Sequence, residues 1–151
     1  RLADPPPCRR GELMLAAVAC MALALYFEAR GEPVVGQIAV GHVISNRVAD
    51  PRYPDTVCEV VMQGPTYSWK PDFPARHRCQ FSFYCDGKSD KPKDVEAYSR
   101  AVALSRMIIS GETNDPSEGA THYHANYVLP SWASSKARVI RINDHVFYRW
   151  H

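Results

Sequence analysis

Apolar side chains along the first two thirds of the chain recur at helical spacing, with an unbroken apolar run over 13–27. Gly31 and Pro33 interrupt the first periodic segment, and Pro33 suits the first turn of the next helix. Asp50 and Pro51 stop that second helix. Four helices are predicted, over 12–29, 33–49, 55–62 and 92–111.

The last third of the chain is typical of strands rather than helices. Strands are predicted over 121–128 and 138–148, the second folded around Asn143 and Asp144. Between the two regions, 64–85 is a long aromatic segment that is rich in proline, and loops of that length are usually functional. Helices first and a small antiparallel sheet last indicate the α+β class.

Composition describes one ordinary globular domain. The 151 residues are 46% hydrophobic and 23% charged, and the net charge of +2 argues against nucleic-acid or membrane-surface binding. We expect 1–11 to be an N-terminal extension and 12–151 a single catalytic domain that is monomeric. The apolar run imitates a signal peptide, but it continues without a polar break and is short for a membrane span, so no stable membrane insertion is expected.

Five cysteines without CxxC spacing favour disulfides in an oxidising compartment over a zinc site. Cys79 and Cys85 bracket a short segment and could close a small loop. Cys58 is an equally plausible partner for Cys79, and the sequence does not choose between them. The odd count leaves at least one thiol free or paired outside the chain.

Glu28 is the residue whose surroundings point most directly to chemistry. It ends a hydrophobic helix beside Tyr26 and Phe27. A carboxyl held against apolar side chains has a raised pKa and can donate a proton near neutral pH, which is what a general acid for glycosidic cleavage needs. The plainer alternative is that Glu28 pairs with Arg30 or caps the next helix.

Three segments carry a resemblance to a known family. EARGEPVVGQIAVGHVISNRV at 28–48, THYH at 121–124 and INDHVFY at 142–148 resemble the SleB/CwlJ-type cell-wall hydrolases, the spore-cortex-lytic family. The resemblance spans about 13–150. It implies a peptidoglycan hydrolase with a lysozyme-like, mainly helical catalytic lobe, and it places the family's catalytic glutamate on Glu28.

The number of carboxylates bears on the reaction. A two-carboxylate glycosidase needs a second Asp or Glu about 5 to 9 Å from the first, and Glu32, Asp72 and Asp86 have no compelling setting. A lytic transglycosylase needs one carboxyl, because the muramic acid 6-hydroxyl attacks its own anomeric carbon. We therefore predict cleavage between MurNAc and GlcNAc with 1,6-anhydromuramic products and no cofactor. A hydrolytic muramidase is the alternative.

Seven further residues are candidates for the site. Gln80 and Ser82 alternate with phenylalanines, which indicates an extended segment whose polar face lines a sugar groove; the alternative is a hairpin whose phenylalanines fill the core. The glycan-binding candidates are Gln80, Ser82, Tyr123, His124 and Asn126, and Arg30 and Glu32 are expected to orient the Glu28 turn. The cysteine-bounded segment 79–85 suggests a relative that works outside spores, in a periplasm or cell envelope or as a phage lysin.

Two rival functions come from other classes. His122 and His124 form an HxH pair on one strand face, and with His145 they would make the three-histidine zinc site of an N-acetylmuramoyl-L-alanine amidase. No HExxH motif accompanies them. A non-catalytic wall-binding module is the third hypothesis.

Overall fold

The structure is a computed structural model that describes the backbone of residues 7–150 and the side chains of residues 11–71 and 73–150. It contains both helices and antiparallel strands, as predicted. The α-helices are α1 (Pro7–Ala29), α2 (Val34–Ala49), α3 (Val57–Val61) and α4 (Val95–Ile109). The strands are β1 (Thr66–Tyr67), β2 (Lys70–Pro74), β3 (His122–Ala125), β4 (Ala137–Ile142) and β5 (His145–Arg149), and 3₁₀ helices cover Ser82–Cys85 and Ser131–Ser135.

Helix α1 is the centre of the core, with the other three α-helices packed against it. Its C-terminal half is buried, including Met21 and Leu25, which have no exposed surface. Close packing continues between α2 and α4, where a Cβ added at Gly41 would collide with Ile108. The helical core is therefore built around one helix, which ends at the residue after Glu28.

The N-terminal half of α1, unlike the C-terminal half, exposes apolar side chains. Leu13, Met14 and Leu15 are at least half exposed. By length and composition, Gly11–Ala29 is one helix that could cross a membrane, and 39% of it is buried within the protein. A core helix and a signal sequence pass the same test, so this helix alone indicates neither.

Local signals account for several helix boundaries. The Thr56 hydroxyl accepts a hydrogen bond from the Glu59 N–H at the start of α3, and the Asp94 carboxylate accepts one from the Ala97 N–H at the start of α4. The Tyr26 hydroxyl accepts the N–H groups of two residues at that second start, at 3.1 and 3.0 Å. The end of α1 is thereby tied to the beginning of α4.

The three-stranded sheet has the order β3-β5-β4 and is antiparallel throughout. The predicted turn at Asn143 and Asp144 is confirmed, and Asn143 adopts the left-handed conformation that asparagine tolerates, with φ 51°. Phe147 on β5 is fully buried in the main core. The opposite, outer sheet face carries a second small cluster that includes Trp132, Val146 and Tyr148.

The prediction of an extended segment around Gln80 and Ser82 was wrong, and the structure decides between the two disulfide pairings that the sequence left open. Cys79 and Cys85 are joined by a disulfide with Cα atoms 6.1 Å apart, and Cys58 pairs instead with Cys20. An extended chain of that length would separate its ends by about 20 Å, so the closed loop cannot be a strand. It forms the 3₁₀ helix Ser82–Cys85. The side chain of Cys8, the fifth cysteine, lies outside the described residues.

Two positions expected on buried helix faces are also exposed. Val34 and Val95 are each the first residue of their helix, α2 and α4, and both are exposed. Periodicity predicts which face of a helix is buried, but it does not show where along the helix the neighbouring elements begin. The first residue of each helix lies beyond those neighbours, so its apolar side chain stays exposed. The first buried residue is Gly36 in α2 and Ala101 in α4.

Candidate active site

Glu28 faces a cleft of about 360 Å³ between the helical core and the sheet. Four parts of the chain meet there. Phe27 and Glu28 come from α1 and Arg47 from α2, while the loop supplies 80–82 and the β3 strand supplies 123–125, with Tyr127 and His145 completing the wall. The cleft thus joins segments that are far apart in the sequence.

Burial of Glu28 raises the pKa of its carboxyl above the usual value. Two hydrogen bonds oppose part of that rise, the first from the Tyr123 hydroxyl and the second from the Ser82 backbone N–H. The pKa of Tyr123 is itself raised, because the phenol is buried and faces the Glu28 carboxylate. Tyr123 therefore stays protonated and donates, and the carboxyl can both hold and release a proton.

The loop that supplies Ser82 is held in place on both of its sides. Phe81 and Phe83 are buried, and Phe83 stacks on Phe27 with ring centroids 5.1 Å apart. The Gln80 N–H donates to the Gln63 carbonyl at 2.9 Å. Together with the Cys79–Cys85 disulfide, these contacts aim the Ser82 N–H at Glu28.

Arg47 is a residue of the cleft wall that the sequence analysis missed. Its side chain is only 5% exposed, and its Nε donates to the Thr121 carbonyl at 2.7 Å, two residues before Tyr123. Its Nη1 is buried with no hydrogen-bond partner among the described residues. The available signal was a cation on the otherwise apolar side of α2. Arg47 fixes the start of β3 against α2 and so positions Tyr123.

The predicted glycan-binding residues do not all line the same cavity. Gln80, Ser82, Tyr123 and His124 line the cleft with Glu28. Asn126 lies in an adjoining depression that shares His124 and Tyr127 with the cleft. The contribution of each to binding stays a prediction.

The two residues expected to orient the Glu28 turn behave differently. Arg30 is exposed and places its guanidinium 4.5 Å from the centre of the Tyr26 ring, and among the described residues it forms no ion pair with Glu28. Glu32 accepts hydrogen bonds from the Asn143 side chain and from the Asp144 N–H. Glu32 therefore ties the turn after α1 to the β4–β5 turn, and Arg30 packs on an aromatic ring.

No second carboxylate is found among the described residues that line the cleft. The Glu32 carboxylate is occupied by the β4–β5 turn. Asp86 accepts the Lys88 N–H at 2.8 Å, in its own turn after the loop. The side chain of Asp72 lies outside the described residues. Glu28 is thus the one carboxyl that the described part of the cleft presents.

The three histidines lie on opposite faces of the sheet. His122 and His124 share the outer face, with ring centroids 5.0 and 5.8 Å from that of Trp132. His145 lies on the inner face, 5.0 Å from the Tyr123 ring. Within the described residues no three His, Cys, Asp or Glu side chains form a group that could hold a metal ion. The three-histidine site considered above is not assembled.

Both ring nitrogens of His124 have protein partners. Nδ1 lies 2.8 Å from the Ala125 carbonyl, which can only accept, so Nδ1 carries the proton. Nε2 then accepts from the Tyr148 hydroxyl at 2.9 Å. Both ring nitrogens of His124 are therefore engaged within the protein, on the outer face of the sheet.

The sequence and the fold of this chain are similar to those of known cell-wall enzymes. A sequence profile described as Cell Wall Hydrolase matches residues 31–148. Spore cortex-lytic enzymes from Halalkalibacterium halodurans and Bacillus cereus are 36% and 48% identical over 128 residues. Each alignment covers 84% of this chain but only 33% and 42% of the relative. The chain thus spans between a third and a half of the length of these relatives.

A solved structure is similar over almost its whole length. The catalytic domain of the germination-specific lytic transglycosylase SleB from Bacillus anthracis superposes with a TM-score of 0.64 at 28% identity. The match covers 88% of this chain and 93% of that one. The catalytic domain of the Bacillus cereus SleB protein matches with a TM-score of 0.62 at 26% identity.

Proposed function

This chain belongs to the Cell Wall Hydrolase family, and from that premise we propose that it cleaves peptidoglycan glycan strands between MurNAc and GlcNAc as a lytic transglycosylase. The observation that carries the proposal is Glu28, the one carboxyl among the described residues of the cleft. The profile match begins three residues after Glu28 and does not include it. The support for a catalytic role of this residue is therefore its position in the cleft and its burial.

In the first step, protonated Glu28 donates its proton to the glycosidic oxygen. The bond between that oxygen and the muramic anomeric carbon breaks, and positive charge develops on the sugar ring. The raised pKa favours the protonated form of Glu28 that this step requires. The leaving GlcNAc departs with the proton as a free hydroxyl.

In the second step, the Glu28 carboxylate accepts the proton of the muramic 6-hydroxyl as that oxygen bonds to the anomeric carbon. The product is the 1,6-anhydro sugar, and Glu28 ends protonated as it began. The Tyr123 hydroxyl and the Ser82 N–H stabilise the carboxylate that exists between the two steps. No water and no second carboxylate take part.

We propose that the polar residues around Glu28 hold the sugar ring. Gln80 and Ser82 approach from the loop, and Tyr123 and His124 from the strand. Amide and hydroxyl groups suit the hydroxyl and acetamido groups of the glycan, and aromatic rings suit the apolar sugar faces. Asn126 would contact the strand one position further along, in the adjoining depression.

We also propose that the protein acts outside the cytoplasm, in a periplasm, a cell envelope or an extracellular space. The two disulfides support this location, because such bonds persist mainly in oxidising compartments. Peptidoglycan lies in the same compartments. The exposed apolar residues at the start of α1 do not separate these locations.

Mass spectrometry of digested peptidoglycan tests the reaction. Wild type should release products ending in 1,6-anhydromuramic acid, and Glu28→Gln should lose at least about 1,000-fold in rate because the proton donor is gone. The exposed Glu112→Gln is the matched control and should cleave normally. Reducing muramic ends would instead show a hydrolytic muramidase. Free peptide stems lost on metal chelation would refute the glutamate mechanism.

A further inference from the structure

The cleft does not end at Glu28 but continues over the outer face of the sheet. A depression of about 380 Å³ shares His124 and Tyr127 with the cleft. A further depression of about 430 Å³ shares Leu129, Arg138 and Tyr148 with the first. We call these two depressions together the outer groove.

An irregularity in β4 gives the outer groove two arginines on one face. Residues three apart on a regular strand point to opposite faces. The register between β4 and β5 shifts after Arg138, so that Arg138 lies opposite Tyr148 and Arg141 opposite Val146. Both of those β5 residues belong to the outer cluster. The bulge therefore turns Arg138 and Arg141 to the same outer face.

The outer groove is positively charged. Lys136, Arg138 and Arg141 line it, and no Asp or Glu is found among its described lining residues. The Arg138 guanidinium has no side-chain partner in the described part of the chain, and Arg141 uses its Nε for the Asn143 carbonyl at 2.9 Å. Both arginines are exposed, so guanidinium donors remain available for an anionic ligand.

We propose that the outer groove binds the acidic peptide stem of the substrate, with stem carboxylates paired to Arg138 and Arg141. This inference rests on the proposed function, since the stem branches from the muramic residue whose bond Glu28 would cleave. Tyr127 and Leu129 are 84% and 83% exposed at the groove edge and suit the alkyl parts of the stem. The groove begins at His124, on the wall of the cleft, so one muramic residue can engage both sites.

Binding without catalysis tests the inference directly. Glu28→Gln protein is mixed with purified sacculi whose glycan strands are covalently coupled to beads, either intact or stripped of stems by an amidase, and the bound fraction is measured after pelleting the beads. Adding Arg138→Gln and Arg141→Gln should weaken binding to intact sacculi about tenfold, since two solvent-exposed charge pairs are lost. Binding to stripped sacculi should not change. Arg100→Gln with Arg106→Gln, on exposed positions of α4, is the matched control for net charge.

Three outcomes of this experiment would overturn the inference. Equal loss on intact and stripped sacculi would overturn the stem assignment in favour of a general charge effect, as would an equal loss in the α4 control. No loss on either substrate would also overturn it. The wild-type digestion separates this failure from failure of the proposed function, because anhydro products depend on Glu28 and not on the outer groove.

Discussion

The two disulfides allow stability and activity to be perturbed separately. The Cys20–Cys58 disulfide joins α1 to α3 with a sequence separation of 38, and Cys79–Cys85 closes the loop that lines the Glu28 cleft, with a separation of 6. The loop-closure entropy of the unfolded chain predicts about 4 kcal/mol of stabilisation from the longer loop and about 2 kcal/mol from the shorter one. Replacing both cysteines of each pair with serine should therefore lower the free energy of unfolding more for Cys20–Cys58.

Activity should follow the opposite order. The Cys79–Cys85 loop carries the Ser82 N–H that donates to Glu28, and it carries Gln80 on the cleft wall. Without the disulfide, the closed form of the loop loses about 2 kcal/mol of stability relative to open forms. Because about 1.4 kcal/mol corresponds to a tenfold change, the rate should fall by up to about 30-fold. The Cys20–Cys58 pair lies away from the cleft, so its removal should leave the rate nearly unchanged.

Urea denaturation and release of anhydromuropeptides measure the two effects, both at a temperature where each variant is folded. Cys8 is present in both variants, so its effects are shared. Full activity after loss of Cys79–Cys85, with reduced activity after loss of Cys20–Cys58, would refute the assignment of the closed loop to the active site.

Three further predictions concern single side chains. Tyr123→Phe removes a donor that lowers the pKa of Glu28, so the basic limb of the kcat/KM profile should move to higher pH; an unmoved limb would show that the contact is unimportant. Gly41→Ala should lower the free energy of unfolding by about 1–3 kcal/mol through overpacking, whereas Gly11→Ala, which has open space, should be neutral or slightly stabilising in the same urea titration. Burial and neighbouring cations hold the pKa of His122 at about 4, so the unfolded chain takes up this proton first and stability should fall between pH 6.5 and 4. His122→Gln should reduce that slope in urea midpoints measured against pH.

Local patterns predicted the elements well because the forces that define them act over a few residues. Helical spacing located the four helices, and caps such as Thr56 and Asp94 lie where the local chemistry favours them. The turn at Asn143 was predicted for the same reason. Boundaries were less accurate, since the third predicted helix start at 55 and the fourth at 92 each precede the observed first residue.

The candidate site was predicted only in part. Glu28 stood out because a carboxyl at the end of an apolar helix is unusual by itself. Arg47 was overlooked, since its role depends on the Thr121 carbonyl, which only the fold brings within 2.7 Å. The contacts of Arg30 with the Tyr26 ring and of Glu32 with the β4–β5 turn likewise depend on the fold, and the expected effect of these two residues on the Glu28 turn stays a prediction.

The sequence by itself determined the helices, the hairpin, the family resemblance and a candidate carboxyl for proton transfer, since each depends on residues close together along the chain. Only the tertiary structure decided which cysteines pair, that Tyr123 and Ser82 donate to Glu28, and that two arginines share the outer sheet face. These features depend on packing and strand register between distant segments. Because many segments of similar polarity could meet in principle, only the packed core decides which of them do.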